Sequence, residues 1–326
     1  MGMYEDPAGL IASSVILWLL STLCIVLRLW NRGRVRQSYL AADWLVLAGW
    51  VFGTGLSILE IYAVAVKSLG YKTGTAPTDP TSMSQELRKA EQIQLAFLTL
   101  GAVALGLIKL SVCFLYWHLF AQVALRRFLI VWIIIIIIWA VSFVLAGLLE
   151  CGSHLRAALD TPTDFSRYCG SAASTGYGFV GSDIVTDLIT LIIPIPVIVR
   201  LQMRRRRKLL TLTAFLIGAI SVGASIAKGY IYIWARLGEN AENGLLLLTG
   251  LSIWNLVEVQ VGIIASCGPL LWPVLTDLFS FLGSLIASKI RSTPKISQYK
   301  VSPELPNFIK LPECELGQAF GSRSAF

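Results

Sequence analysis

Apolar residues in this chain come in long blocks divided by short polar stretches. A membrane-crossing helix needs about 20 mostly apolar residues, because the hydrocarbon core is about 30 Å thick and each residue rises about 1.5 Å. Seven blocks meet that requirement: Ala8–Leu29, Ala42–Val66, Gln92–Trp117, Phe128–Leu149, Gly178–Val199, Leu209–Ile233 and Leu245–Leu275. The pattern predicts an all-α, polytopic membrane protein, a seven-transmembrane helix bundle over residues 1–276. The fourth block holds six consecutive isoleucines, Ile133 to Ile138, and has no polar face, so much of it is expected to face lipid. After the seventh block, Leu278, Phe281, Leu282, Leu285 and Lys289 follow three-four spacing. Residues 277–290 therefore read as an amphipathic helix lying in the interface. Residues 291–326, with Pro294, Pro303, Pro306 and Pro312 among scattered polar residues, read as a flexible cytosolic tail.

Composition narrows the class. The 326 residues are 56% hydrophobic and 14% charged, with a mean hydropathy of +0.71. A soluble domain is about 45–50% apolar and about 25% charged, so a soluble enzyme, a disordered chain and a coiled coil are excluded. The first nine residues carry Glu5 and Asp6 and no Lys or Arg, unlike the positive start of a secretory signal. Positive charge instead follows the first block, at Arg28, Arg32, Arg34 and Arg36. If the N-terminus is outside, 18 of the 27 Lys and Arg fall on the inner side and 7 on the outer, so the positive-inside rule predicts N-out and C-in. Trp30, Trp44, Trp117, Trp234 and Trp272 fall at interface depths. The net charge of +8 then follows from topology, and no nucleic-acid partner is implied. The choice between plasma membrane and endomembrane stays open.

The connections carry a few further signals. In the first outer loop, Ser82-Met-Ser-Gln85 has capping-box spacing, so the third helix is expected to start above the membrane. Cys151 and Cys169 share the second outer loop, on the oxidising side. A disulfide there closes a loop of about 18 residues and contributes roughly 3 kcal/mol; the alternative is two unpaired thiols. Two histidines and no clustered ligand spacing imply no metal site, and no cofactor is expected. The run Arg204, Arg205, Arg206, Arg207, Lys208 lies in a short inner loop. It reads as a topology anchor that attracts anionic lipid, or as a docking surface for a cytosolic signalling partner. Pro194 and Pro196 are expected to kink the fifth helix.

Ionisable residues within spans cost about 2.5–3.5 kcal/mol each on insertion scales, so each needs a reason. They are Glu60, Lys109, Asp183, Asp187, Lys228 and Glu258. Asp183 and Asp187 share one helix face by i,i+4 spacing. One reading is a polar ligand cavity open to the outside, floored near Glu258 and lined by Asp183, Asp187 and Lys228, with Glu60 and Trp254 in the same layer. The other is structural: Lys228 pairs with Asp183 or Asp187, and Lys109 snorkels toward the inner side. Two acids facing one lysine leave a surplus negative charge, which proton-coupled chemistry or a cationic ligand would use.

The residues also resemble a family. An arginine-rich first-helix end leads to Asp43-Trp44-Leu45, and Lys109-Leu-Ser111 is followed by Tyr116 and Leu119-Phe120. The two loop cysteines, Asp183 to Pro194-Ile-Pro196, Leu201-Gln-Met203, Arg207-Lys208, Phe215 and Gly218 come next. The last helix supplies Trp254, Glu258, Gly262-Ile-Ile264, Cys267, Pro269 and Pro273. In order and spacing these are similar to the fungal rhodopsin-domain family of seven-helix membrane proteins, over roughly Cys24 to Leu275. The resemblance implies a receptor-like protein, with Asp43, Lys109 and the basic run as inner structural or coupling elements. Departures are Ala42 beside Asp43, Trp117-His118 where a basic residue is usual, Lys228 in place of arginine, and no tryptophan between the loop cysteines. A retinal Schiff base in microbial rhodopsins uses a lysine of the seventh helix, and none stands between Leu245 and Trp272.

These observations imply a receptor-like protein that senses an extracellular or membrane-borne, small lipophilic molecule. The alternative is a membrane-embedded enzyme or accessory factor of fungal secondary metabolism, in which Asp183, Asp187 and Glu258 would carry a carboxylate-mediated cyclisation. Enzyme activity stays undecided, with the receptor reading ahead. A transporter ranks lower, because the halves show no repeat.

Overall fold

A computed structural model describes residues 6–34, 39–70, 80–120, 122–149, 172–196, 205–237 and 248–268, with side chains left aside at 80–91, 172–174, 205–214 and 234–237. Seven helices appear among them: α1 Pro7–Arg34, α2 Ala41–Ala65, α3 Pro80–Leu119, α4 Val123–Leu148, α5 Ala172–Ile192, α6 Arg205–Leu237 and α7 Leu248–Gly268. Six contain stretches long and apolar enough to cross a membrane; α5, which carries Asp183 and Asp187, is not among them. The protein is an integral, multi-pass membrane protein, and its helices imply a lipid bilayer around them.

Burial sorts the helices into inner and peripheral. More than half of the α3 span (56%) and two-thirds of α7 (67%) are buried, against 22% for α1 and α4. α3 packs on α2, α4 and α5, while α6 packs on α5. Ile134, Ile135, Ile137 and Ile138 of α4 are exposed, and Ile136 with Trp132 and Trp139 turns inward. The isoleucine run therefore faces outward over most of its circumference, as its lack of a polar face predicts. Trp30 and Trp44 are likewise exposed near helix ends.

Without water in the hydrocarbon, side-chain polar groups find partners on neighbouring helices. Trp18 Nε1 donates to Thr54 Oγ1 and Trp50 Nε1 to Thr22 Oγ1, each at 3.1 Å, a reciprocal pair that fixes α1 on α2. Ser111 Oγ of α3 donates to the Ala42 carbonyl at 2.7 Å. Gln260 Nε2 of α7 reaches the Gly53 carbonyl and Ser57 Oγ of α2 at 3.1 Å. Trp132 and Trp139 of α4 donate to Thr190 and Ser182 of α5.

Several boundaries differ from the expected ones. α3 begins at Pro80, twelve residues before Gln92 opens its apolar span, as the capping spacing suggests. α5 is interrupted by a turn at Ile193 and Pro194, after which Ile195 and Pro196 are again helical, and the residues from 197 to 199 lie outside the described ones. Proline lacks the N–H for the helical bond and its ring crowds the preceding turn. Arg205 to Lys208 form the first turn of α6 rather than a loop; Arg204 lies outside the described residues. So do Cys151, Cys169, the 277–290 segment and the 291–326 tail. The described cysteines, Cys24, Cys113 and Cys267, are free.

The end of α2 is a Schellman stop. Ser68 N–H donates to the Ala63 carbonyl at 2.9 Å and Lys67 N–H to the Val64 carbonyl at 3.0 Å, with Lys67 at φ 60°. A side chain makes this left-handed conformation unfavourable, so Lys67→Gly should stabilise the protein by about 1 kcal/mol. At the α3–α4 contact the effect reverses. A Cβ on Gly106 would lie 2.7 Å from the Ala140 Cβ, with no torsion to relieve it. Gly106→Ala should destabilise by about 1–3 kcal/mol. Thermal unfolding in detergent checks both, and equal melting of all three proteins would contradict these contacts.

Candidate functional site

The polar stripe of α5 organises the core. Asp183, Thr186, Asp187 and Thr190 recur at i, i+3, i+4 and i+7, so they share one helix face. That face meets α3 at Lys109. Lys109 Nζ lies 2.7 Å from Asp183 Oδ1, 3.0 Å from Asp187 Oδ1 and 2.6 Å from Thr186 Oγ1. A second ammonium arrives from α6. Lys228 Nζ lies 2.7 Å from Asp183 Oδ2 and 2.6 Å from Glu258 Oε2 of α7. Asp183 is thus bracketed by two lysines, one on each oxygen, and links four helices.

Further groups fix the geometry. Ser225 Oγ donates to Asp187 Oδ2 at 2.7 Å. Lys109 Nζ also sits 4.6 Å from the Trp139 ring centroid, and Lys228 Nζ 5.2 Å from that of Phe179. Ring faces are negative, so they complete the surroundings of each ammonium where no further carboxylate is available. Asp183 and Glu258 are fully buried and both lysines are at most 4% exposed. One oxygen each of Asp183, Asp187 and Glu258 lies within 4.8 Å of the others. This trio has the spacing of a cation site, but two ammoniums already occupy its surroundings.

Two cavities flank the cluster. The first, about 80 Å³, is bordered by Lys109, Tyr116, Asp187, Thr190, Ser221 and Ser266. The second, about 30 Å³, is bordered by Gln94, Phe97, Phe179, Lys228, Tyr232 and Asn255. On each of the four helices the two sets lie on opposite sides of the cluster, so the first cavity faces the Leu119 end of α3 and the second faces its Pro80 end.

The cluster brings together Asp183, Asp187, Lys228 and Glu258, as the spacing suggests, and adds Lys109. Lys109 does not snorkel. It stands eight residues, about 12 Å, from Trp117, farther than its side chain reaches, and this distance was the available signal. The single outward-open cavity of the sequence reading is replaced by two. Asp183 and Glu258 border neither, because the lysines close over them. Glu60 stands apart, 3.4 Å from Ser252 Oγ and fully buried. Trp254 is half-buried against the apolar core. Thr186, Ser225, Trp139 and Phe179 were missed as site residues; the α5 stripe itself pointed to the first.

A second buried ion pair closes the Arg34 end. Asp43 Oδ1 lies 2.7 Å from Arg28 and Asp43 Oδ2 3.0 Å from Arg32 Nε, while Leu40 N–H donates to Asp43 Oδ2 at 2.9 Å. Arg28, fully buried, also donates to the Ser266 carbonyl of α7 at 2.6 Å. Arg28 thereby ties α1 to the backbone of α7. Asp43 therefore ties α1, α2 and α7.

Removing one partner of such a cluster leaves an unpaired buried charge. Lys228→Met should destabilise by about 3–5 kcal/mol, and adding Glu258→Gln should recover part of that loss. A double-mutant cycle read by thermal unfolding checks the coupling. Strict additivity would mean that the two residues do not interact.

The family model for the fungal rhodopsin domain matches residues 27–277. The chain is 25% identical over 267 residues to Receptor GIN3 of Arthrobotrys oligospora, covering 77% of this chain and 58% of that receptor's length. It is 26% identical over 266 residues to the polyenoic acids biosynthesis gene cluster protein Ba17b of Metarhizium anisopliae, covering 79% of this chain and 71% of that protein. No solved structure matches. By the span of the family match, this chain belongs to the fungal rhodopsin-domain family.

Proposed function

We propose that this protein is a receptor-like member of its family, which senses a small molecule and passes the signal through its helix bundle. The observation that carries the reading is the Lys109–Asp183–Lys228–Glu258 chain, which couples α3, α5, α6 and α7 through contacts of 2.6–2.7 Å. An interior of this kind repacks between discrete arrangements, since an ammonium that leaves one carboxylate must find another. Either cavity borders it, so an occupant there biases the helices directly. The receptor name of one relative supports the reading at family level.

In this reading the Pro7 end lies outside and the Arg34 end faces the cytosol, where Arg204 to Lys208 meet anionic lipid or a signalling partner. The 277–290 segment lies along the inner leaflet ahead of a cytosolic tail.

The second reading is a pathway enzyme, favoured by the carboxylate trio and by the gene-cluster name of the other relative. One feature weighs against it: the carboxylates are engaged by ammoniums.

Deleting the protein in its native host, with metabolite and transcript profiles taken together, separates the two. A receptor gives a shift in whole transcript groups with no single intermediate building up. Accumulation of one intermediate, converted by membranes carrying the protein, would sink the receptor reading.

A further inference from the structure

The central cluster is one positive charge short. Asp183, Asp187 and Glu258 bring three negative charges, and Lys109 and Lys228 bring two positive ones. A charge without a counter-charge is costly inside a bundle, so the shortfall calls for a cation. The three carboxylates are not equally served. Asp183 has an ammonium 2.7 Å from each oxygen, and Glu258 has one at 2.6 Å. Asp187 has the longest contact, 3.0 Å to Lys109, and shares that ammonium with Asp183. Of the three, Asp187 alone borders either cavity, and its side chain is 12% exposed while the other two are fully buried.

The cavity at Asp187, about 80 Å³, offers hydrogen-bond acceptors from three helices. Each Asp187 oxygen has one partner, Lys109 at Oδ1 and the Ser225 hydroxyl at Oδ2, and each keeps a further lone pair. The Ser221 hydroxyl of α6 donates to the Glu258 carbonyl at 3.4 Å and its oxygen still accepts. The Tyr116 hydroxyl of α3 has no hydrogen-bond partner among the described residues. Thr190 is already engaged, taking a bond from Trp132 and giving one to the Thr186 carbonyl. Lys109 also borders the cavity, but its ammonium is held by Asp183, Thr186 and the Trp139 ring. Much of the remaining wall is apolar, from Val112, Leu115, Leu191 and Val222. Asp187, Tyr116 and Ser221 are each part-exposed, so an occupant can reach these acceptors. The second cavity is bordered by Lys228 and by no carboxylate, which disfavours a cation there.

We propose that the first cavity binds a short primary alkylammonium ion, whose nitrogen donates to Asp187, Ser221 and Tyr116 and whose chain lies against the apolar wall. A primary ammonium carries three N–H donors, one for each of the three helices. It also brings the cluster to three charges of each sign. A hard metal ion fits less well, because it takes about six oxygens and gains nothing from apolar walls. The volume is the share of two or three liquid waters, which suits a chain of only a few carbons. The site stands independently of the receptor reading.

The test melts the full chain in detergent with and without about 10 mM propylammonium chloride. Binding to the folded state should raise the melting temperature by about 2–4 °C. Propanol, which has the chain without the charge, and sodium chloride, which has a cation without donors or chain, should leave melting unchanged at the same concentration. Asp187→Asn removes the charge and should abolish the rise. Ala265→Leu fills the cavity from α7 without altering any charge and should abolish it as well, so the test survives if Asp187→Asn fails to fold. No rise in the wild type, an equal rise with propanol or sodium, or a full rise in either variant would overturn the site.

Discussion

A lysine ammonium in hydrocarbon has no water to turn to, and the arrangement of this bundle follows from that constraint. Lys109 stands too far from either end of α3 to reach the interface, so carboxylates must come to it. α5 supplies two of them and so is held against α3, although its own composition is the least suited of the seven helices to lipid. Asp183 then has a second oxygen to satisfy, and Lys228 brings in α6. Lys228 in turn needs Glu258, and α7 completes the set. Each helix is recruited by the charge that the previous one left unfinished.

The same logic operates at the Arg34 end with different partners. There the chain uses arginine, whose flat guanidinium serves a carboxylate and a carbonyl at once. Arg28 joins Asp43 to the Ser266 carbonyl of α7. α7 is therefore gripped at two levels, by Lys228 at Glu258 and by Arg28 at Ser266. This double attachment accounts for its high burial. α1 and α4, each 22% buried over their spans, present their apolar faces to lipid.

Much of the architecture was legible in the sequence. Apolar blocks of sufficient length can be little else, and six of the seven reappear as spans long and apolar enough to cross a membrane. The membership of the cluster was legible in part, since Asp183 and Asp187 announce one face by their spacing. The depth of Lys109 already argued against snorkelling, but which helix would supply its partners was not legible from depth. Its partners lie 74 and more residues away, and only packing brings them within 3 Å. Glu60 shows the converse error. It shares the depth of the cluster, yet α2 points it toward Ser252 instead. The break at the prolines was readable, because proline cannot make the helical N–H bond.

The length of α3 has a mechanical consequence. It is a single helix of 40 residues, about 60 Å long, of which the first twelve, about 18 Å, precede its apolar span. Lys109 lies seventeen residues, about 26 Å, beyond Gln92 on the same rod. The segment ahead of the apolar span and the lysine that anchors the charge network thus belong to one continuous helix.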